Sequence, residues 1–255
     1  MPESRIPLEI CLDSVESAVA AAQGGADRVE LCADLLEGGI TPSAGLIAAV
    51  RQKISIGLQV MIRPRGGDFC YTAYEFEIMR KDTRMAKQLG ANGVVFGILD
   101  EDGNVDVNRT RELVELARPL NVTHHRAFDM TNDLLRALED VIRTGADRIL
   151  TSGGEATVSA GLATIQRLVK AAGSRITIMP GGGITVQDVR EIVEQSGARE
   201  IHIGLATELP SPMRFHNPKI AMGSVEGYEY KRTVVLQQEV EKLLEAMKGV
   251  VPDPA

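Results

Sequence analysis

Gly24–Cys32 reads GGADRVELC, and its grammar recurs through the chain. Gly90-Ala91 precedes VVFGIL, Gly145-Ala146 opens the near-copy GADRILTSG, and Gly197-Ala198 precedes REIHIG. A Gly-Ala pair therefore introduces an apolar run four times, about 50 to 65 residues apart. Glycine accepts the left-handed conformation that closes a helix, after which the chain re-enters a sheet. Each interval has room for one further strand and two helices, so the four runs mark every second strand of an eight-fold βα array. An open doubly wound sheet uses the same connection, but strand count and length favour a closed (β/α)8 TIM barrel.

The 255 residues suit one barrel domain spanning 1–255. Aromatics make up only 4% and Trp is absent, which fits aliphatic parallel strands buried on both faces. A net charge of −7 disfavours nucleic acid and anionic membrane as partners. Three cysteines, an odd number, point to a reducing compartment rather than a disulfide framework. No apolar run approaches the roughly 20 residues that span a bilayer, and MPESRIPLEICLDS lacks a basic segment leading into an apolar one. A soluble cytoplasmic protein is expected.

Strands are expected at about 8–13, 28–32, 57–63, 94–98, 121–126, 148–152, 176–179 and 200–203. Helices fall between them, the third at about 75–89 and the seventh at 185–196. The loop ADLLEGGITPS carries two glycines and Pro42, which argue against regular structure there. DEDGN has the look of a calcium loop without its closing Glu, and reads as a plain turn. After the eighth strand an irregular tract through Tyr230 precedes a last amphipathic helix at about 232–248, and the tail VPDPA is expected to fray.

In a closed barrel one strand parity faces the lumen, and polar residues at alternate positions identify it. The polar parity is Glu9, Cys11 and Asp13 on the first strand and Arg28, Glu30 and Cys32 on the second. The third offers Met61 and Arg63, the fifth Thr123 and His125, the eighth Glu200 and His202. Two neighbouring Glu-x-Cys strands lie about 4.8 Å apart, which brings both carboxylates and both sulfurs together at the C-terminal mouth. A purely structural alternative is a salt-bridge plug of Glu9, Glu30 and Arg63.

Three chemistries suit these residues. Cys11 and Cys32 are soft donors for Cu(I), with His125, His202 or Met61 able to complete a site. Gly181, Gly182 and Gly183 follow the seventh strand and lead into a helix, where barrels grip anions, with Arg63, Arg65 and Arg126 near by and Glu9 and His202 at the same mouth. Glu9, Glu30, His125 or Asp129 could serve acid–base catalysis on such a small anionic or phosphorylated metabolite, of isomerase or lyase type. No Lys lies near a strand end, which disfavours Schiff-base chemistry. Cys32 beside carboxylates should be a poor thiolate, and Cys70 has no evident partner.

LEICLDSVESA, GADRVELC, EGGITPS, VMIRPRGGDFCY, VTHHRAFDM, RILTSG, MPGGGI and SPMRF, in this order over nearly all of the chain, resemble the copper homeostasis protein CutC family. The resemblance implies a TIM barrel, a cytoplasmic location, a homodimer or homotetramer, and Cu(I) binding in copper homeostasis. It places the metal on Cys11 and Cys32, and its motifs also cover Glu9, Glu30, Arg63, Arg65, Asp68, His125, Arg126, Asp129 and His202. His124 stands where the family has an aromatic, and Ile203, Gly204 and Leu205 replace small hydroxyl or Cys residues. Met213, Phe215 and Met222 suggest that the tract at 209–227 touches the mouth or a partner subunit.

Overall fold

The four Gly-Ala pairs do the work their sequence suggests. Gly25, Gly90, Gly145 and Gly197 have φ of 93°, 84°, 82° and 69°, a region that favours glycine, and the alanine after each is buried. The next residue adds a staple. Asp27, Asn92 and Asp147 accept the backbone N–H of Leu8, Leu58 and Val122 at 2.8, 2.9 and 2.7 Å, tying each repeat to the strand before it.

A computed structural model describes residues 5–250 apart from 223, 224 and 226, so the expected frayed tail lies outside the described residues. Eight parallel strands form the barrel: β1 (Leu8–Leu12), β2 (Arg28–Leu31), β3 (Gly57–Met61), β4 (Gly93–Phe96), β5 (Asn121–His124), β6 (Arg148–Thr151), β7 (Thr177–Pro180) and β8 (Ile201–Gly204). Neighbours in sequence pair in order, β8 returns to β1, and a bridge between Gly181 and His202 joins β7 to β8. This is a nearly closed (β/α)8 TIM barrel.

Outside lie α1 (Val15–Gln23), α2 (Ala44–Lys53), α3 (Ala73–Gln88), α4 (Val107–Ala117), α5 (Leu134–Thr144), α6 (Val158–Ala172) and α7 (Val189–Ser196). Polar caps start them where the sequence offers Ser, Thr or Asp. Ser14 accepts from Ser17 N, and Thr72 forms a capping box with Glu75, so α3 begins two residues before the expected 75.

Three expectations need correction. The loop after β2 is not wholly irregular: Leu35–Glu37 makes a 3-10 turn, closed by a bridge between Ala33 and Ile40. The tract after β8 holds β9 (Thr207–Pro210), paired antiparallel with β10 (Lys231–Val234), so 232–236 is not helical and α8 is Gln237–Ala246. Helix α7 starts at Val189, not 185, because Thr185 turns back on Asp188 through its N–H and hydroxyl at 2.6 and 2.9 Å. Helix α8 covers α1, and a Cβ on Gly24 would stand 2.6 Å from that of Val240, so the first glycine of GGADRVELC is where α8 sits down.

Candidate functional site

Strand register stacks the lumen side chains in layers drawn from alternate strands. Arg28, Arg148 and Glu200 form the floor at the N-terminal end. Glu9, Gln59, Thr123 and Met179 come next, then Glu30, Val95, Leu150 and His202. Cys11, Met61, His125 and Gly181 follow, and Cys32 and Arg63 stand towards the mouth. Glycines make room for the large members. A Cβ on Gly57 would meet that of Arg28 at 2.7 Å, one on Gly93 would strike Gln59 Oε1, and one on Gly97 would lie 2.7 Å from His125 Nδ1.

The floor is ionic. Arg28 donates to Glu9 Oε2 at 2.5 Å and to Glu200 Oε2 at 2.6 Å, and Arg148 also donates to Glu200 and to Thr123 Oγ1. The expected plug of Glu9, Glu30 and Arg63 is therefore not the one built. Arg63 points its guanidinium into the loops, donating to the carbonyls of Glu37 (2.6 Å), Gly39 (3.0 Å) and Gly67 (2.8 Å). Arg28, Arg148 and Glu200 take its place, and the charged lumen parity of Arg28 and Glu200 was the signal for them.

Above the floor, two Glu-x-Cys strands meet. His202 Nδ1 lies 2.7 Å from Glu9 Oε1, and Nε2 lies 3.8 Å from Glu30 Oε2. Cys11 and Cys32 stand with their Sγ atoms 4.0 Å apart, and Cys32 Sγ is 3.6 Å from Glu30 Oε2. Met61 and Val95 pack with Cys32, while Cys11 and Leu35 complete an apolar wall around the sulfurs. Glu30 Oε1 is buried with no hydrogen-bond partner among the described residues. Both Cys11–Glu30–Cys32 and Glu9–Glu30–His202 bring their donor atoms within 4.8 Å of one another, close enough to share an ion.

Proton affinities diverge inside this cluster. Burial works to raise Glu9, but the His202 hydrogen bond and the Arg28 charge hold it down at about 2. Burial, then negative charge on Cys11, pushes Glu30 well above the ordinary carboxylate range. Burial disfavours charge on His202, yet Glu30, Cys11 and Glu9 around it raise its pKa well above that of free imidazole. The two thiols share one hydrogen bond, which takes Cys11 well below its ordinary value and Cys32 well above. The sequence foresaw the direction for Cys32 alone.

The remaining candidates lie elsewhere in the mouth. His125 caps a 3-10 turn (Arg126–Met130), accepting from Ala127 N at 3.2 Å, and its buried Nε2 has no partner among the described residues. Asp129 is filled: Arg126 Nε, Ser152 N and Oγ, Gly154 N and Thr151 Oγ1 all donate to it. Arg65 and Asp68 pair within their own loop at 3.1 Å, Arg65 also donating to Glu75. Arg126 Nη1 would be 3.1 Å from a Cβ on Gly182, so that arginine and the Gly181–Gly183 turn do adjoin. Helix α7 starts only at Val189, and it is the N-terminus of α6 that adjoins that turn, Val158 N donating to the Gly182 carbonyl at 2.9 Å.

Access to the sulfurs is uneven. A Cβ on Gly39 would lie 3.0 Å from Cys32 Sγ, so that loop roofs the buried cysteine. Cys11 pairs across to Gly204, where a Cβ would meet nothing within 4 Å, and it is partly exposed.

A family model for the CutC family matches residues 6–207. The copper homeostasis protein CutC homolog of Homo sapiens is 47% identical over 96% of this chain and 90% of its own length. A CutC family protein of Mesorhizobium japonicum is 44% identical over 97% and 96%. The solved CutC structure from Streptococcus agalactiae superposes with a TM-score of 0.74 at 32% identity, covering 78% of this chain and 98% of that one. The match over residues 6–207 and the identity with these relatives show that the chain belongs to the CutC family.

Proposed function

We propose that this chain binds copper(I) for copper homeostasis, holding the ion between Cys11 and Cys32 at the barrel mouth. The observation that carries the reading is the pair of free sulfurs 4.0 Å apart against an apolar wall. Thiolates are the soft donors that Cu(I) prefers, and dry walls protect it from oxidation and exchange. The chain's own chemistry suits loading. The hydrogen bond between the two thiols favours the thiolate on Cys11, and Cys32 Sγ donates to Glu30 Oε2 at 3.6 Å. The names of the human and mouse relatives support copper homeostasis as the setting.

The test is a Cu(I) competition titration against a strong chelator, anaerobic and reducing, on wild type and on Cys11→Ser/Cys32→Ser. Wild type should take up about one ion per chain and the variant none. Failure of wild type to compete would end the reading.

The setting we infer is the cytoplasm, whose reducing conditions would keep Cys11, Cys32 and Cys70 free. No helix among the described residues is long and apolar enough to cross a membrane. We also infer a homodimer or homotetramer built on the β9–β10 arm, where Met213, Phe215 and Met222 are exposed by 55%, 74% and 82%. Light scattering of Phe215→Ser/Met222→Ser tests this; an unchanged mass would refute it.

One observation favours a second reading. His125 Nε2 and Glu30 Oε1 are buried polar atoms without partners among the described residues, as in a site awaiting a small anionic substrate. A thermal-shift screen of phosphorylated metabolites on wild type and Glu30→Gln would find a ligand, or dismiss that enzyme.

A further inference from the structure

The two thiols sit side by side but are not equally covered. Cys11 is partly exposed, whereas Cys32 is fully buried beneath the turn at 34–39, with Leu35 packed on the sulfurs and Gly39 against Cys32 Sγ. The outer side of that turn, Asp34, Leu36, Glu37 and Gly38, is exposed. The cover is a single turn thick, so whatever holds it down decides when Cys32 can react.

Most of the turn's bonds are internal. Glu37 N and Gly39 N donate to the Asp34 carbonyl at 3.1 and 3.0 Å, Gly38 N donates to the Leu35 carbonyl at 3.1 Å, and Ala33 and Ile40 close the base with bonds of 2.9 and 2.8 Å. Among the described residues, the hydrogen bonds that leave 34–39 run to one group: Arg63 Nη1 donates to the carbonyls of Glu37 at 2.6 Å and Gly39 at 3.0 Å. The guanidinium is itself anchored on its far side, where Nη2 donates to the Gly67 carbonyl at 2.8 Å and Cζ lies 5.0 Å from the centre of the Phe69 ring. Its backbone is fixed as well, Arg63 N donating to Thr41 Oγ1 and Thr41 N to the Arg63 carbonyl, each at 2.9 Å. Bonds from a cation are stronger than neutral ones, and Arg63 is buried, so water competes little for them.

We propose that Arg63 is a positioning residue that latches the 34–39 turn over Cys32, so that an incoming reagent or ion meets Cys11 first and Cys32 only when the turn lifts. A segment closed on itself, tied at its base by the Ala33–Ile40 bridge and at its tip by one side chain, opens as a unit while the barrel stays folded. For copper, capture then has two steps, and that part rests on the reading above; the latch itself needs no metal.

Alkylation by iodoacetamide, with the modified cysteine identified by peptide mass, tests it. In wild type Cys11 should react well before Cys32. In a Cys11→Ser/Cys70→Ser background, where Cys32 is the thiol left, Arg63→Met keeps the stem and removes the donors, and should speed Cys32 alkylation about tenfold or more. Low urea separates a latch from mere loss of stability. Lifting one turn exposes little surface, so the rate should stay nearly flat with urea, whereas a route through global unfolding would rise with the full unfolding slope. An unchanged rate, a rise with that full slope, or a wild type whose Cys32 reacts as fast as Cys11 overturns the proposal. Should Arg63→Met fail to fold, Gly39→Ala in the same background decides: its Cβ would stand 3.0 Å from Cys32 Sγ at a φ of 87°, and should lift the turn with Arg63 intact. These rates are read without copper, so a failed copper titration would end the copper reading and leave the latch to be judged on them.

Discussion

Glu9 Oε1 and His202 Nδ1 stand 2.7 Å apart, and their proton affinities are displaced in opposite directions by that contact. The pair joins the candidate site to the barrel floor, because Glu9 also accepts from Arg28. Removing one member of a buried pair strands the other, which costs about 3–5 kcal/mol.

Glu9→Gln should therefore lower stability at neutral pH by about that amount. The sign with pH follows from Glu9 being held at about 2 against an ordinary 4.5. Its contribution is fully present above 4.5 and is lost as pH falls towards 2. Urea denaturation across that range should show the gap between wild type and variant closing. A gap that stays constant would mean Glu9 is not the group responsible.

His124 is fully buried, neither ring nitrogen has a partner among the described residues, and burial lowers its pKa to about 4 from 6.5. Between those values an unfolded chain takes up a proton that the folded one refuses, so stability falls as pH drops through that window. His124→Phe should stabilise the fold by about 1–3 kcal/mol at neutral pH and flatten the fall. A variant less stable than wild type would show a hydrogen-bond partner for the ring.

Gly93→Ala would place its Cβ against Gln59 Oε1 and 2.8 Å from the Asn121 carbonyl. Overpacking of this kind costs about 1–3 kcal/mol. Part of that cost should return in Gly93→Ala/Gln59→Ala, since one of the two clashes is then gone. Strict additivity in thermal unfolding of the single and double variants would break the link between these positions.

Gly204→Leu would fill the open space across from Cys11, where a Cβ meets nothing within 4 Å. Stopped-flow mixing with a Cu(I) complex should show slower uptake and slower release, with equilibrium affinity unchanged. Equal rates would place the route to the thiols elsewhere.

Much of this was legible in the sequence, for identifiable reasons. Left-handed glycines are numerous, but those followed by Ala stand at 25, 90, 145 and 197, at the spacing of the fold, so four Gly-Ala pairs counted the strands. Strand parity is strict, so Glu9, Cys11, Glu30 and Cys32 could be placed on one side of the wall before any contact was known. Height along the barrel axis was not legible. It depends on the stagger accumulated around all eight strands, and that stagger puts Arg28, not Arg63, beside Glu9. The β9–β10 pairing and the late start of α7 were hidden as well. The first joins strands across a long intervening loop, and the second turns on a side-chain contact between Thr185 and Asp188.

The ionic floor has one more implication. Arg28, Arg148, Glu200 and Glu9 are mutually bonded across the lumen, and Gln59 and Thr123 are buried beside them. The barrel is thus a cup rather than a tube. On the copper reading, an ion held by the sulfurs would arrive and depart at the mouth end, past Cys11 and Gly204. Delivery and collection would then, under that reading, compete at one threshold, so a donor and an acceptor of the ion could not dock there together.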